Sequence, residues 1–263
     1  MTELVRRQTE LRERIIPVGI IDSLNRYPVK SMRAEALTEA KVRFQGIAGD
    51  RRFAFIQGRN HSRFPWLTAR EVPRMLLYRA TLVDPADPDN SSATVTTPDG
   101  RELDVFSDEL MEELKGQLRE SARNQPIYAV HLKSAHDAEP ISLMTTHAVQ
   151  RLAERIGSPV DPRRFRQNLI INTTDSPSPD EQTWVGGRIM IGDGDRAPII
   201  TITRGDARCM MPNLHPDTAV QDPRILRTIA QEQDNLMGVY ASVAKPGAIR
   251  VGDPVYLIAA TLA

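Results

Sequence analysis

Residues 204–218 read Arg-Gly-Asp-Ala-Arg-Cys-Met-Met-Pro-Asn-Leu-His-Pro-Asp-Thr, and they contain the one cysteine of the 263-residue chain. The run before them, residues 199–203, is rich in isoleucine and threonine and favours a strand. Two prolines follow Cys209, and each fixes its own φ angle and disfavours helix in the preceding residue. We therefore expect Cys209 where a strand ends and a rigid loop begins.

Cys209 has two arginines close to it in sequence, Arg204 and Arg208. A thiol attacks carbon or sulfur and binds metals as the thiolate, and neighbouring cations favour that form. This context predicts a nucleophile or a metal ligand. A lone free cysteine is also commonly a small buried apolar residue without chemistry, and residues 204–218 by themselves leave that alternative open.

The composition is that of a chain with enough apolar residues to build a core without cross-links. It has 263 residues, of which 40% are hydrophobic, which suits one large domain or two small ones. Lys plus Arg equals Asp plus Glu at 34 each, so the net charge favours neither nucleic acid nor an anionic membrane surface as a partner. We expect neither.

A single cysteine rules out an internal disulfide and a four-cysteine iron–sulfur cluster within the chain. The five histidines lack the spacing of a helical zinc site, and no run approaches the ~18 apolar residues of a membrane span. The N-terminus has no apolar segment of a signal peptide. We expect a soluble protein in the reducing cytoplasm that receives any electrons from a separate protein.

Hydrophobic periodicity predicts a mainly β chain with a few helices. We predict an N-terminal extension over residues 1–16, a β-rich domain over 17–124 and a second domain over 125–263. The predicted strands are 18–27, 36–44, 53–56, 75–83, 93–97, 103–106, 127–132, 169–171, 188–191, 199–203 and a strand pair within 247–257, with loops at 57–74 and 173–181. The predicted helices begin after Ser107, after Thr145 or Thr146 (ending at Gly157), and after Asp222, with Pro223 in the first position.

Polar stretches follow four of the predicted strands: Lys30-Ser31, Asp50-Arg51-Arg52, residues 163–168 and residues 204–213. If they converge, they form a pocket of cations, hydroxyls, amides and one thiol that suits a small phosphorylated ligand, because arginine binds phosphate through two parallel hydrogen bonds. The alternative is a set of separate solvated arginines. Neither a G-x-G-x-x-G or Walker nucleotide motif nor a G-x-S-x-G serine hydrolase motif is present.

An ordered set of motifs resembles the MOSC family, which is named after the C-terminal domain of molybdenum cofactor sulfurases. The motifs are Tyr27-Pro28-Val29-Lys30-Ser31, Gly49-Asp50-Arg51-Arg52, Leu67-Thr68-Ala69-Arg70, Phe165-Arg166-Gln167-Asn168, Ala207-Arg208-Cys209, Pro216-Asp217-Thr218 and Gly252-Asp253-Pro254-Val255-Tyr256. The resemblance covers nearly the whole chain from about Val18. It implies a β-barrel-like MOSC domain preceded by a β-rich N-terminal MOSC-associated domain, as in amidoxime-reducing members of the family.

The resemblance also implies the molybdenum cofactor, molybdopterin, as ligand, with Cys209 as the protein's ligand to molybdenum. Pyridoxal phosphate is not expected. The cofactor-binding residues that the resemblance implies are Lys30, Ser31, one or both of Arg51 and Arg52, Thr145, Arg166 and Asn168. Arg208 and Asn213, within residues 204–213, are further candidates for cofactor binding. His215 is a candidate catalytic proton donor beside Cys209, although a lone loop histidine is more often a surface residue.

The function that follows is reduction of an N-hydroxylated or N-oxide small molecule, with electrons from an external reductase. Pro212-Asn213 and His215 depart from the threonines and the acid usual in the family, and Gln167 replaces its usual proline, so the substrate is not fixed. Two alternatives remain at this point. One is a carrier that holds sulfur on Cys209 or binds the cofactor without redox turnover, and the other is a site that has lost molybdenum.

Overall fold

The computed structural model describes residues 13–58, 60, 62, 64–173 and 180–260. The α-helices within these ranges are α1 Asp108–Gly116, α2 Thr146–Ile156 and α3 Arg224–Glu232. The strands there are β1 Glu13–Arg26, β2 Glu35–Leu37, β3 Glu39–Arg43, β4 Gly46–Ile47, β5 Phe53–Gln57, β6 Trp66–Leu67, β7 Arg79–Leu82, β8 Ala93–Thr96, β9 Glu102–Asp104, β10 Ile127–His131, β11 Ile141–Thr145, β12 Leu169–Thr173, β13 Arg188–Ile191, β14 Ile199–Ala207, β15 Leu236–Lys245, β16 Gly247–Arg250 and β17 Pro254–Ala260.

Seven of the described strands close into a β-barrel in the order β12, β11, β15, β14, β13, β17, β1. Strand β1 completes the barrel because it pairs with β17 on one side and with β12 on the other. The pairings are antiparallel except that of β11 with β12. Strand β2 extends the sheet beside the end of β1. The N-terminal described strand is therefore a structural part of the barrel.

The burial of side chains along β1 shows how this strand contributes to the barrel. Ile21 and Leu24 are buried inside it, whereas Ile20 before them and Asp22 between them are exposed. The pairing with β12 shifts register between Ile21 and Ser23, which marks a β-bulge. The interior is built from branched aliphatic side chains and Trp184, including Val18, Ile141, Leu143, Leu169, Ile189, Ile200, Ile202, Val239 and Val255.

A second apolar core lies in the N-terminal half. Its side chains come largely from two small antiparallel sheets, one formed by β10, β5 and β6 and the other by β7, β8 and β9. Helix α1 covers it with Leu110 and Leu114, which meet Phe53, Phe55 and Met75. Helices α2 and α3 pack together over a third core at the barrel's side. Strand β10, which lies beyond residue 124, pairs with β5, and the boundary between residues 124 and 125 stays a prediction.

The mainly β fold class is confirmed, and so are the predicted caps of α1 and α2, whereas the N-cap of α3 is Pro223 in place of the predicted Asp222. Thr145 Oγ1 accepts a hydrogen bond from the Ala148 N–H at 3.1 Å, and Gly157 ends α2 with φ +73°. Ser107 Oγ accepts from the Leu110 N–H at 3.4 Å. Helix α3 begins at Arg224, whose N–H donates to Asp222 Oδ1 at 3.1 Å.

Three of the predictions about strands and loops were wrong in part. The predicted strand over residues 75–83 is a 3₁₀ helix over residues 73–77 followed by β7. The helix forms because Pro73 favours a first helical position and two successive apolar side chains, Met75 and Leu76, are buried together. The predicted loop 57–74 contains β6, and β11 was missed because its five residues are all buried and show no alternation. Strands β16 and β17 do not pair with each other, since β16 pairs with β3 and β17 with β1 and β13.

The predicted N-terminal extension overlaps β1, which begins at Glu13, and residues 1–12 and 174–179 lie outside the described residues. In the described part of the chain, no helix has the length and apolar character needed to cross a bilayer.

Gly19 tests the closure of the barrel. A Cβ atom at this position would lie 2.1 Å from the carbonyl oxygen of Asn172 in β12, so Gly19→Ala must push the two strands apart. We expect a loss of about 2–3 kcal/mol in the free energy of unfolding, measured with urea, as for overpacked cores. Gly116→Ala is the control, since nothing lies within 4 Å of a Cβ there. Equal effects of the two changes would contradict the packing described.

Candidate functional site

A cavity of about 290 Å³ lies beside the barrel and contains six of the residues predicted from sequence. They are Lys30, Ser31, Arg51, Arg166, Arg208 and Cys209. This volume is at the lower end of the range for small-molecule sites. Cys209 is exposed and follows β14 after one residue, which confirms the expected strand-to-loop position and overturns the alternative of a buried apolar cysteine. We call this space the Cys209 cavity.

Three lining residues adopt left-handed backbone conformations: Ser31 with φ +67°, Arg51 with φ +48° and Arg166 with φ +56°. Such a conformation costs a residue other than glycine roughly 1–2 kcal/mol, and it persists where the surrounding structure enforces it. The N–H of Arg51 donates to the carbonyl of Tyr27 at 2.7 Å, and the N–H of Lys30 to that of Phe53 at 2.8 Å. Three of the six described residues other than glycine with positive φ therefore line the cavity, and strained residues of this kind are common at ligand sites.

The buried ring of Tyr27 holds two of the arginines. The guanidinium carbon of Arg166 lies 4.4 Å from the ring centroid and that of Arg51 lies 4.7 Å from it, both within cation–π range. The hydroxyl of Tyr27 donates to the carbonyl of Gln167 at 3.2 Å. Burial raises the pKa of Tyr27 to about 12, so the hydroxyl keeps its proton and its hydrogen bond at neutral pH.

Asp50 connects β1, the loop before β5 and the loop before β12. Its Oδ1 accepts from the N–H of Tyr27 at 2.7 Å, and its Oδ2 accepts from Asn168 Nδ2 at 3.1 Å and pairs with Arg51. Asn168 Oδ1 in turn accepts from the N–H and the hydroxyl of Ser142, both at 3.2 Å. Asn168 is therefore a buried support of Asp50 and Arg51.

Lys30 is almost fully buried, with 4% of its side chain exposed. Its ammonium donates to the carbonyl of Ala135 at 2.7 Å and to Asp137 at 2.6 Å. Burial lowers the pKa of Lys30, and the charge of Asp137 opposes that shift. Burial alone would raise the pKa of Asp137, but the ammonium holds it below its usual range. Lys30 and Asp137 form an ion pair at the cavity, so the charge of Lys30 has a carboxylate partner there.

Two of the cavity's cations lack a carboxylate partner among the residues described. Arg166 donates to the carbonyl of Met32 at 2.7 Å, and Arg70 stacks on Phe64 with its guanidinium carbon 4.6 Å from the ring centroid. Burial lowers the pKa of Arg166 to about 10, which leaves it charged at neutral pH. Arg208, by contrast, pairs with Asp206. The cavity therefore presents guanidinium charge that no protein carboxylate neutralises.

Comparison with family models identifies the fold. A model of the MOSC N-terminal beta barrel domain matches residues 18–138, and a model of the MOSC domain matches residues 130–256. The chain belongs to the MOSC family. The two matches overlap in residues 130–138, which include β10 after its third residue and the lining residues His136 and Asp137.

Curated relatives of this MOSC protein include amidoxime-reducing components. Mitochondrial amidoxime-reducing component 1 of Xenopus laevis is 25% identical over 96% of this chain and 86% of its own length. Mitochondrial amidoxime reducing component 2 of Macaca fascicularis is 26% identical over 93% of this chain and 85% of its own. The crystal structure of the YUAD protein from Bacillus subtilis matches 95% of this chain and all of that chain with a TM-score of 0.51 at 14% identity, which supports the fold alone.

Four predicted cofactor-binding residues and the predicted proton donor lie outside the lining of the Cys209 cavity in this MOSC domain structure. Thr145 is fully buried and donates to Glu181 at 2.8 Å. Asn213 Oδ1 accepts from the N–H of Leu226, and His215 Nδ1 accepts from that of Asp217 at 3.1 Å. The other two are Asn168, which supports Asp50, and Arg52, which donates to the carbonyls of Asp89 and Lys133 beside a different cavity.

Sequence reasoning assigned no role to several lining residues. His136 donates through Nε2 to the carbonyl of Gln45 at 3.2 Å, so this nitrogen carries the proton. Burial lowers the pKa of His136, with Asp50 opposing the shift, and it is neutral at pH 7. Tyr240 also lines the cavity. Arg70 also lines the cavity and belongs to one of the MOSC motifs in the sequence. No sequence signal points to His136 or Tyr240, because segments remote in sequence bring them to the cavity.

Asp50→Asn tests the network behind the cavity. The change keeps the shape of the side chain and leaves Arg51 without its buried counter-ion, so we expect a loss of about 3 kcal/mol in the free energy of unfolding. Urea denaturation at neutral pH measures it. Asp234→Asn, at an exposed site outside the cavity, is the matched control and should change stability by less than about 0.5 kcal/mol. A loss at Asp50 no larger than the control's would show that the carboxylate does not hold Arg51.

Proposed function

We propose that the chain is a molybdenum-cofactor-dependent reductase of small N-hydroxylated or N-oxide compounds. The observation that carries the proposal is the position of Cys209, whose exposed thiol lines the same cavity as Lys30, Arg51 and Arg166. Membership of the MOSC family and similarity to proteins named amidoxime-reducing components support it. In the described residues, no group of three or more His, Cys, Asp or Glu is arranged to hold a metal ion.

The donor set of the cavity fits a phosphorylated pterin. Its lining has five cationic side chains and three carboxylates, and Arg70 and Arg166 have no carboxylate partner in the described ranges. Guanidinium groups suit a phosphate, hydroxyls such as that of Ser31 suit polar pterin edges, and a soft thiolate suits molybdenum. We propose Arg51, Arg70 and Arg166 for the phosphate and Cys209 for the metal.

When bound, the cofactor would supply the two electrons and the oxygen-accepting metal that convert an N–OH group into N–H and water, with uptake of two protons. The chain's own residues bind and orient. Tyr240 lines the cavity, and burial raises the pKa of its hydroxyl, so it can donate a hydrogen bond to a bound molecule at neutral pH. We propose it as an orienting group in place of His215, which lies outside the lining.

Two further expectations belong to this proposal. The electrons come from a separate reductase, and the protein acts in the cytoplasm. Both rest on the single cysteine, which leaves the chain without the ligands of a four-cysteine cluster or the material for a disulfide.

The exposure of Cys209 also suits the alternative of a sulfur or cofactor carrier, because an accessible thiol can be reached by a second protein. The reductase and the carrier differ in whether the protein converts a substrate repeatedly. A carrier would release bound cofactor to an acceptor enzyme or hold a sulfane sulfur on Cys209, and it would not reduce N–OH compounds catalytically.

The proposal predicts stoichiometric molybdenum and pterin in protein purified from a host that makes the cofactor, measured by elemental analysis and by fluorescence of the oxidised pterin. It also predicts reduction of benzamidoxime to benzamidine with reduced methyl viologen as the electron donor. Cys209→Ser should lower the rate by roughly 100-fold or more, since even residues that only support metal ligands contribute 10–100-fold.

The Cys209→Ser protein is assayed for bound pterin as well as for rate. If turnover is lost while pterin is retained, the variant is folded and the loss is due to metal ligation. Arg227→Gln, on the exposed face of α3, should leave both unchanged. Wild-type protein without molybdenum or pterin, or a Cys209→Ser variant with full turnover, would refute the reductase. Bound cofactor without turnover would favour the carrier.

A further inference from the structure

A second cavity, of about 480 Å³, lies on the other side of Arg166. Of the described residues, Arg166 alone lines both this space and the Cys209 cavity. No predicted role and no function proposed above uses the second cavity. Its volume is well within the range of sites for small organic molecules.

Positive charge dominates the second cavity. Five arginines line it, namely Arg33, Arg79, Arg163, Arg164 and Arg166, and the one lining carboxylate is that of Glu35. Glu35 is already paired with Arg26, with 2.8 Å between Arg26 Nη2 and Glu35 Oε2. The cavity thus holds arginine charge that its own carboxylate does not neutralise.

Ion pairs outside the lining neutralise only part of this charge. Arg33 and Arg163 share Asp217, and Arg163 also pairs with Asp161, with 2.6 Å between Arg163 Nη2 and Asp161 Oδ2. Arg164 donates to the carbonyls of Pro212 and Asn213, at 3.1 and 2.9 Å. As far as the structure describes the chain, Arg79, Arg164 and Arg166 have no carboxylate within ion-pair distance. Burial lowers the pKa of Arg164, which reflects the cost of holding its charge there without a counter-ion.

Two of the arginines lie side by side at the N-terminal wall. Arg33 and Arg79 form an isolated parallel β-bridge, and the N–H of Arg33 donates to the carbonyl of Tyr78 at 2.9 Å. The Nε of Arg33 is buried without a hydrogen-bond partner. Guanidinium groups bind phosphate and carboxylate through charge-assisted hydrogen bonds, and both arginines line the cavity.

Apolar side chains complete the wall. Leu76, Ala80 and Leu214 are buried and line the cavity together with Pro216. A ligand that fills the space therefore meets hydrocarbon as well as charge. We propose that the second cavity is a separate binding site for a small organic anion, a phosphate or carboxylate carried on an apolar body, held by Arg33, Arg79 and Arg164.

Calorimetric titration of the cofactor-loaded protein tests the site with four probes: phenyl phosphate, benzoate, inorganic phosphate and benzyl alcohol. Phenyl phosphate should bind more tightly than inorganic phosphate by roughly tenfold, because its ring is buried against the apolar wall. It should bind more tightly than benzyl alcohol because the alcohol lacks the charge. Benzoate compared with phenyl phosphate distinguishes a carboxylate site from a phosphate site.

Two arginine variants locate the binding. Arg79 is exposed and lines only the second cavity, whereas Arg70 lines only the Cys209 cavity. Arg79→Gln should weaken phenyl phosphate binding by roughly tenfold or more, the loss typical of a charge-assisted contact, and Arg70→Gln should leave it unchanged. Ala36→Glu, at an exposed lining position, adds a negative charge and should weaken binding as well.

Each outcome decides the proposal. Weakening by Arg79→Gln and Ala36→Glu with retention in Arg70→Gln supports it. Weakening by Arg70→Gln alone would assign the anion to the Cys209 cavity, and equal affinity for phenyl phosphate in all variants would reduce the binding to nonspecific contact with surface arginines. Either result overturns the second site, and neither bears on the molybdenum content that tests the proposed reductase.

Discussion

The buried carboxylate of Asp50 is the interaction on which the rest of the site depends. It joins the end of β1, the cation Arg51 and the amide of Asn168, and it lies behind the cavity with its side chain fully buried. A charge buried this deeply is tolerated only when its partners are fixed, because an unpaired one would cost several kcal/mol. The network therefore holds Arg51 in its left-handed conformation and holds the loop before β12 against the barrel.

Around this network, segments that are remote in sequence bring cations and one thiol to the Cys209 cavity. They are the loops after β1, before β5, after β6, before β12 and after β14. The guanidinium groups of Arg51 and Arg166 both lie within cation–π range of the ring of Tyr27. The fold accepts strained backbone and guanidinium charge without a paired carboxylate there, and an anionic ligand would offset that charge.

Local signals predicted the elements better than the site. Thr145 and Gly157 fix α2 from within a few residues, and prolines place Cys209 at the start of a loop. Arg51 and Arg52 are adjacent in sequence but reach different cavities, since the direction of each depends on backbone geometry and on partners far along the chain. Thr145 looks like a ligand-binding hydroxyl in the sequence, but in the structure it donates its hydrogen bond to Glu181, 36 residues later.

The central claim is that Cys209 and the cations of remote loops surround one ligand, a phosphorylated pterin carrying molybdenum. Diffraction data collected on both sides of the molybdenum absorption edge, from crystals of protein purified from a cofactor-producing host, test it most directly. We predict one anomalous peak within bonding distance of Cys209 Sγ, with pterin density extending toward Arg51 and Arg166. A molybdenum peak elsewhere in the molecule, or a Cys209 thiol facing only solvent in molybdenum-containing crystals, would contradict the account.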